Sequence, residues 1–404
     1  MEVTPRMAGS PAEAKAREWA TARLKALGFQ NVKVEPFTVT SYVRGNESAV
    51  MTAPYSHKFA VTALGYSGTT PDEGVSGDLV YFETLDALKA AAPGTLTGKI
   101  VFVDHAMRAN QDGSGYGPYG NVRRQGPAIA SQKGAIGIVI RSIGTDNHRN
   151  PHTGATSWPT GTPPIPAGAL ANPDADMVAL IAKTGKPMRL SLTLTGKTTP
   201  DLPSGNVIAD LPGRDPSLPK ILVACHLDSW DIGMGVIDDG AGCAIVTAAA
   251  LKAQASGKPL RTIRVLWAGS EEIGVFGGAA YGKAHANDPH ALAMESDFGA
   301  DRVWNVKFNR LSGPVADKVK AALNPMGIVP GAGKAGGGAD VGAIIAAQNL
   351  AVIDLSQDGT RYFDLHHTPD DTLDKVDPAQ LQQNVDAWTA VLKVVANEPG
   401  QLIG

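Results

Sequence analysis

The chain has 404 residues, of which 43% are hydrophobic and 19% are charged, and its formal net charge is −3 at pH 7. This length allows two domains with ample cores, and the composition is typical of a soluble globular protein. The small net charge gives no reason to expect nucleic acid or a membrane as a partner, and no apolar run approaches the ~20 residues that a membrane-spanning helix needs.

The first part of the chain is predicted to be a helix followed by strands. Apolar residues at helical spacing predict a helix over Pro11–Leu27, which ends at Gly28. Strand-like runs follow at Val32–Thr40 and Lys58–Leu64. The N-terminus lacks the basic start and apolar core of a signal peptide.

The middle of the chain differs in composition, with short β-rich segments between glycine- and proline-rich loops. Its last piece alternates polar and apolar residues, as a half-buried strand does. We therefore interpret residues 75–197 as a β-rich insert between two α/β parts, residues 1–74 and 198–404. The strand-like pieces are Gly77–Glu83, Gly98–Asp104, Gly134–Ser142 and Met188–Gly196.

The last part follows a strand–loop–helix rhythm. Continuous apolar runs such as Lys220–Ala224 and Thr262–Ala268 indicate strands buried in a parallel or mixed sheet. Asp377 is predicted to cap the final helix, with Pro378 at its first position. The other predicted elements are helices at Cys243–Ala253 and Val275–Ala286 and strands at Ala291–Glu295 and Ala351–Leu355.

The chain has two cysteines, Cys225 and Cys243. A single pair is no disulfide framework, so we expect two buried thiols rather than a disulfide bond.

Acidic residues and histidines follow several predicted strands. Ligands of α/β sheets collect at the carboxyl ends of strands, where loops converge. Each segment alone has an ordinary explanation as a helix cap or a surface loop, but their order along the chain predicts a site for zinc or a similar divalent ion. The segments are His226-Leu227-Asp228, Asp238-Asp239, Glu271-Glu272, Asp297 and His366-His367.

This order of residues resembles the co-catalytic zinc exopeptidases that include bacterial leucyl aminopeptidase, glutamate carboxypeptidase and carboxypeptidase Q. The segments PRMAGSP, ESDFGAD and HHTPDDT are most similar to carboxypeptidase Q-like and bacterial aminopeptidase members. The resemblance implies an α/β fold with a mixed central sheet and helices on both faces. By this resemblance, the catalytic zinc peptidase domain would consist of residues 1–74 and 198–404. Residues 75–197 would be an inserted protease-associated domain.

The resemblance also implies a site with two Zn²⁺ ions. Asp238 would bridge both ions, and the peptide bond that follows it is often cis in this family. Glu271 would act as general base toward a metal-bridging water, and Asp228 would orient His226. The remaining ligands would be His226 and Asp297 on one ion, and Glu272 and His367 on the other.

Two further residues are candidates for substrate binding. His367 is the preferred ligand because HTPDDT matches the family's spacing, which leaves His366 beside it as a candidate donor to the substrate carbonyl oxygen. The glycine-rich segment Gly331–Ala343 lacks the P-loop and Rossmann patterns. We expect it to let backbone approach the substrate, with Asp340 as a candidate anchor for a free α-amino group.

The function implied is that of a zinc-dependent aminopeptidase or dipeptidase with a peptide or dipeptide substrate, and a homodimer is a candidate assembly. Related carboxypeptidases and deacylases place an extra domain before the last histidine, where this chain has only about 70 residues. A glutaminyl-cyclase-like enzyme would need one metal and no large insert. A non-catalytic, receptor-like binding protein would have substituted ligands, and none of the five is substituted here.

The family resemblance implies export to the periplasm or secretion. Such relatives usually begin with a leader that this chain lacks, so we expect the start to be truncated. A cytoplasmic location is the alternative.

Overall fold

The computed structural model describes residues 3–255 and 257–404, which form two compact units. The first unit contains residues 3–39, Asp201–Tyr362 and Asp371–Gly404, and the second contains Thr40–Pro200 and Phe363–Asp370. Among the described residues, no helix combines the length and the apolar character that crossing a membrane requires.

Strands and helices alternate along much of the chain. The strands are β1 (Gln30–Val43), β2 (Glu47–Ala53), β3 (His57–Phe59), β4 (Val61–Ala63), β5 (Val75–Phe82), β6 (Ile100–Val103), β7 (Gly137–Arg141), β8 (Ala167–Leu170), β9 (Arg189–Leu194), β10 (Lys197–Leu211), β11 (Lys220–His226), β12 (Ile263–Ala268), β13 (His290–Glu295), β14 (Val303–Asn309), β15 (Val329–Pro330) and β16 (Ala351–Gln357). The α-helices are α1 (Pro11–Ala26), α2 (Leu85–Ala90), α3 (Tyr116–Gln132), α4 (Asn172–Lys183), α5 (Ala241–Gln254), α6 (Phe276–Ala284), α7 (Gly313–Leu323), α8 (Gly342–Gln348), α9 (Tyr362–Leu365) and α10 (Pro378–Val395).

The first unit is built on a mixed sheet with the strand order β1-β10-β12-β11-β13-β16-β14-β15. Its centre is parallel: β11 pairs in parallel with both β12 and β13, and β13 pairs in parallel with β16. β10 and β14 are antiparallel to their neighbours β12 and β16. The mixed α/β fold predicted from the sequence is therefore confirmed.

Helices cover both faces of this sheet, which explains the continuous apolar strands. In β11, the side chains of Ile221 and Val223 join one core with α1, α5, α7 and α10. Leu222 and Ala224 of the same strand join a second core with α6 and α8. Because both faces are buried, both sets of alternating residues must be apolar.

The two most clearly predicted helices are confirmed. Ser10 caps α1 by accepting from the backbone N–H of Glu13 at 3.1 Å. Asp377 caps α10 by accepting from the N–H of Ala379 at 2.8 Å, and Pro378 is the first helical residue. In both helices the cap oxygen satisfies a donor that has no partner inside the helix.

The second unit contains a sheet with the order β3-β2-β9-β5-β6-β7-β8-β4. The insert predicted from the sequence begins at residue 75, whereas the compact unit also includes the preceding residues from Thr40 onward. The physical reason is that β2 pairs with β9, with Glu47 opposite Leu194. The unit also contains three helices, α2, α3 and α4, that the sequence analysis did not anticipate.

The cysteines form a disulfide bond, so the expectation of two buried thiols is wrong. Cys225 lies in β11 and Cys243 in the first turn of α5, and their Cα atoms are 5.1 Å apart. The chain leaves the sheet after β11 and returns through the loop to α5, which brings the two residues within the Cα separation that a disulfide requires.

Replacing both Cys225 and Cys243 with alanine is expected to lower the free energy of unfolding by roughly 3 kcal/mol. The bond closes a loop with a sequence separation of 18, and cross-linking a loop of this size restricts the unfolded chain by about that amount. Guanidinium unfolding with and without reductant measures the effect. The wild type should fall to the variant's stability when reduced, while the variant itself should not respond. An unfolding midpoint of the wild type that is insensitive to reductant would contradict this.

Candidate metal centre

Three parallel strands of the first unit deliver polar residues to one edge of the sheet. β11 ends at His226, β12 leads into Glu271 and Glu272, and β13 leads into Asp297. The carboxyl ends of parallel strands lie at the same edge, which is where α/β sheets hold their ligands.

His226 lies at the centre of this group. Its Nε2 is 2.9 Å from Oδ1 of Asp238 and 3.3 Å from Oδ1 of Asp297. Its Nδ1 is 3.0 Å from the backbone carbonyl oxygen of Asp228, so Nδ1 carries a proton and donates it to that oxygen. Donor atoms of His226, Asp238 and Glu272 lie within 4.8 Å of one another. Donor atoms of His226, Asp239 and Asp297 form a second group within the same distance. Nε2 therefore faces several carboxylates at once.

The acidic pair before α5 has two different surroundings. The peptide bond between Asp238 and Asp239 is cis, as the family resemblance implied. The carboxylate of Asp239, to which the sequence analysis assigned no role, accepts from the backbone N–H groups of His226 at 3.0 Å and Gly242 at 3.1 Å. A Cβ at Gly242 would collide with the Ser296 carbonyl oxygen and the Asp239 carboxylate, so only glycine allows this close approach.

Asp228 makes contacts that the sequence did not indicate. Its fully buried carboxylate accepts from the backbone N–H groups of Glu271 at 3.0 Å and Glu272 at 3.3 Å. Its Oδ1 is 3.7 Å from Nδ1 of His226, beyond hydrogen-bond range. The backbone of Asp228 holds the imidazole, while its side chain holds the turn that carries the two glutamates.

Buried negative charge dominates the electrostatics of this edge. Burial alone would lower the pKa of His226, but the carboxylates of Asp297, Asp238 and Asp239 raise it well above its usual range. Burial and the nearby Asp297 raise the pKa of Glu271, and burial raises the pKa of Asp228 to about 7. So many acids around one imidazole require compensating positive charge. A divalent cation would supply it, and an imidazole nitrogen with carboxylate oxygens is a donor set that suits zinc.

The two adjacent histidines belong to a segment of the second unit, Phe363–Asp370. There the backbone N–H of Thr153 donates to the carbonyl oxygen of His367 at 3.0 Å, and the rings of His366 and His367 stack at 3.5 Å. His152, which the sequence analysis did not single out, completes a group of three imidazoles. The predicted roles of His366 and His367 toward metal and substrate stay predictions.

Asp340 is held by protein contacts. Its side chain is fully buried and accepts from the backbone N–H of Gly278 at 3.2 Å, while its own backbone N–H donates to Glu295 at 2.9 Å. Its role toward a substrate amino group stays a prediction.

The sequence is similar to those of known peptidases. Residues 206–392 match the sequence profile of peptidase family M28. The chain is 34% identical to carboxypeptidase Q of Bos taurus over 98% of this chain and 83% of that protein.

Solved structures agree with the sequence comparison. The crystal structure of a peptidase M28 precursor from Shewanella amazonensis SB2B superposes with a TM-score of 0.96 at 43% identity, covering 100% of this chain and 92% of that one. A zinc aminopeptidase from Bacillus subtilis shares the fold, with a TM-score of 0.69 at 18% identity and coverage of 99% and 94%. These matches place the protein among the peptidases. The chain belongs to peptidase family M28, as the resemblance predicted.

Proposed function

We propose that the protein is a dinuclear zinc exopeptidase of the aminopeptidase or dipeptidase type. The observation that carries the proposal is that donor atoms of several carboxylates lie close to His226, those of Asp238 and Glu272 in one set and those of Asp239 and Asp297 in another. One imidazole nitrogen binds one cation, so the additional carboxylate of Glu272 suits a second, neighbouring cation, which Asp238 would share with the first. Membership of a peptidase family supports the choice of peptide as the substrate.

Five residues are proposed as ligands, with Asp238 bridging both ions. The contacts of Asp238 and Asp297 with Nε2 of His226 support their assignment. His367 is assigned as a ligand because of its position in the segment HTPDDT, and its imidazole is a suitable zinc ligand. The proposed sets are His226, Asp297 and Asp238 on one ion, and Glu272, His367 and Asp238 on the other.

Glu271 is the proposed general base. When bound, the two zinc ions would polarise the scissile carbonyl group and lower the pKa of the attacking water. The Glu271 carboxylate accepts a proton from that water and passes it to the nitrogen of the breaking C–N bond, so that the amine leaves neutral. Asp228 holds the backbone of Glu271 in place for both transfers.

The protein has a second candidate specificity, for the carboxyl end of the peptide. The relative at 34% identity is a carboxypeptidase by name, so a preference for the carboxyl end is the alternative to the aminopeptidase or dipeptidase activity. The proposed insert is a protease-associated domain. The proposed location is outside the cytoplasm, and the disulfide supports it, because such bonds persist mainly in oxidising compartments.

Hydrolysis assays of the zinc-loaded protein test the proposal. We expect cleavage of aminoacyl-nitroanilides or dipeptides that have a free amino group, loss of activity with a chelator, and recovery with added zinc. Cleavage confined to amino-blocked peptides with a free carboxylate would instead identify a carboxypeptidase. A zinc-loaded protein that cleaves none of these would contradict the proposal and favour a binding protein.

A further inference from the structure

A loop without strand or α-helix joins β11 to α5 and carries three of the acids described above. We call residues 227–240 the ligand loop, since it contains Asp228, Asp238 and Asp239. It contains glycines at positions 233, 235 and 240, and Gly235 adopts a positive φ of 64°. Such a loop has little rigidity of its own, so the position of Asp238 depends on what holds the loop.

Asp371 holds the end of the ligand loop. One carboxylate oxygen accepts from the backbone N–H groups of Val236 at 2.7 Å and Ile237 at 2.5 Å, and the other accepts from the N–H of Asp238 at 3.2 Å. Asp371 is only 2% exposed. A buried carboxylate that binds three successive N–H groups fixes the peptide planes up to Asp238, because charge-assisted hydrogen bonds are the stronger kind.

Arg6 holds the same loop through its carbonyl groups. Its Nε donates to the carbonyl oxygen of Leu227 at 2.6 Å, and its two terminal nitrogens donate to those of Met234 at 3.0 Å and Gly235 at 2.8 Å. The planar guanidinium therefore ties the first residue of the loop to the residues just before those that Asp371 binds. A lysine could not make three such bonds in one plane.

We propose that Asp371 and Arg6 are positioning residues that fix Asp238 for binding two metal ions. The inference rests on the proposed function. Neither residue needs to touch a metal ion, since both act through the backbone of the ligand loop. Together they bind three N–H groups and three carbonyl groups of the ligand loop, so losing either one frees the loop to move.

Zinc affinity of the folded protein tests the proposal. Asp371→Ala is expected to weaken binding of the more weakly held zinc ion at least tenfold, measured by competition with a chromophoric chelator below the unfolding temperature. Asp371→Asn should lose less, because its carbonyl oxygen can still accept from Val236 and Ile237 while its amide faces the N–H of Asp238. Arg6→Ala should weaken binding in the same direction.

Asp210→Ala is the matched control. Asp210 is 3% exposed and lies on the same sheet, where it binds Arg264 at 2.7 and 2.9 Å. The control should lose stability yet keep the zinc affinity of the wild type. If Asp371→Ala keeps the wild-type affinity, or loses no more than Asp210→Ala does, the positioning role is overturned while the proposed function stands. A wild-type protein that binds no zinc would overturn both.

Discussion

Replacing Glu271 with alanine is expected to lower kcat by roughly 10²- to 10⁴-fold while both zinc ions remain bound. The loss is of the size that removal of a general acid–base group produces. Zinc remains because Glu271 is not among the proposed ligands and Asp228 holds its backbone rather than its side chain. Steady-state kinetics on a peptide substrate, with metal analysis of the same sample, measures both quantities.

The neighbouring glutamate provides a matched control. Glu272→Ala removes a carboxylate from the adjacent position, whose donor oxygen groups with His226 and Asp238, and we expect it to lower the zinc content as well as the rate. A Glu271→Ala variant with kcat within tenfold of the wild type would refute the assignment of the general base. Equal zinc loss in both variants would show that Glu271 is itself a ligand.

Replacing Asp238 with alanine is expected to remove activity by removing the metal. Asp238 is buried, lies 2.9 Å from Nε2 of His226, and is the proposed bridge between the ions. Loss of a direct bridging ligand should weaken zinc binding more than ~100-fold, beyond the effect of losing an outer-shell partner. Equilibrium dialysis against zinc buffers measures this. Asp238→Asn keeps the shape of the side chain and should lose less, and two zinc ions retained by Asp238→Ala would disprove the bridging role.

The outline of the fold could be predicted because it follows local and periodic rules. Continuous apolar runs indicated strands with both faces buried, and the structure places β11 and β12 side by side in the sheet. The same rule indicated that polar residues following those strands would meet. His226 does lie close to Glu272 in one group of donors and to Asp297 in another.

The hydrogen bonds that hold the loops around these residues could not be predicted. They depend on the three-dimensional path of irregular backbone, which has no periodic sequence pattern. Asp371 lies 133 residues from Asp238 along the chain. Its carboxylate binds backbone N–H groups, which every residue except proline has, so the sequence does not identify these partners. Arg6 is similar, since its guanidinium donates to backbone carbonyl groups. The carboxylate of Asp228 was expected to hold His226, but the turn after β12 brings the N–H groups of Glu271 and Glu272 to it instead.

Two other differences have local causes. The helix α3 begins at Tyr116 within a glycine-rich stretch that is typical of a loop, and it is stabilised by packing of residues such as Val122 and Ala130 in the core of the second unit. For Cys225 and Cys243, the sequence shows two thiols near the ligands but not the distance between them. That distance depends on the path of the ligand loop.

The bond between Cys225 and Cys243 makes the stretch that holds Asp228, Asp238 and Asp239 part of a covalent ring. A ring has fewer conformations than an open chain of the same length, so less entropy remains to be lost when a cation orders it. In an oxidised, metal-free molecule this loop should therefore stay close to its metal-bound conformation, and the protein should bind zinc again without refolding. Chemical reduction would remove that advantage and make metal uptake slower and weaker.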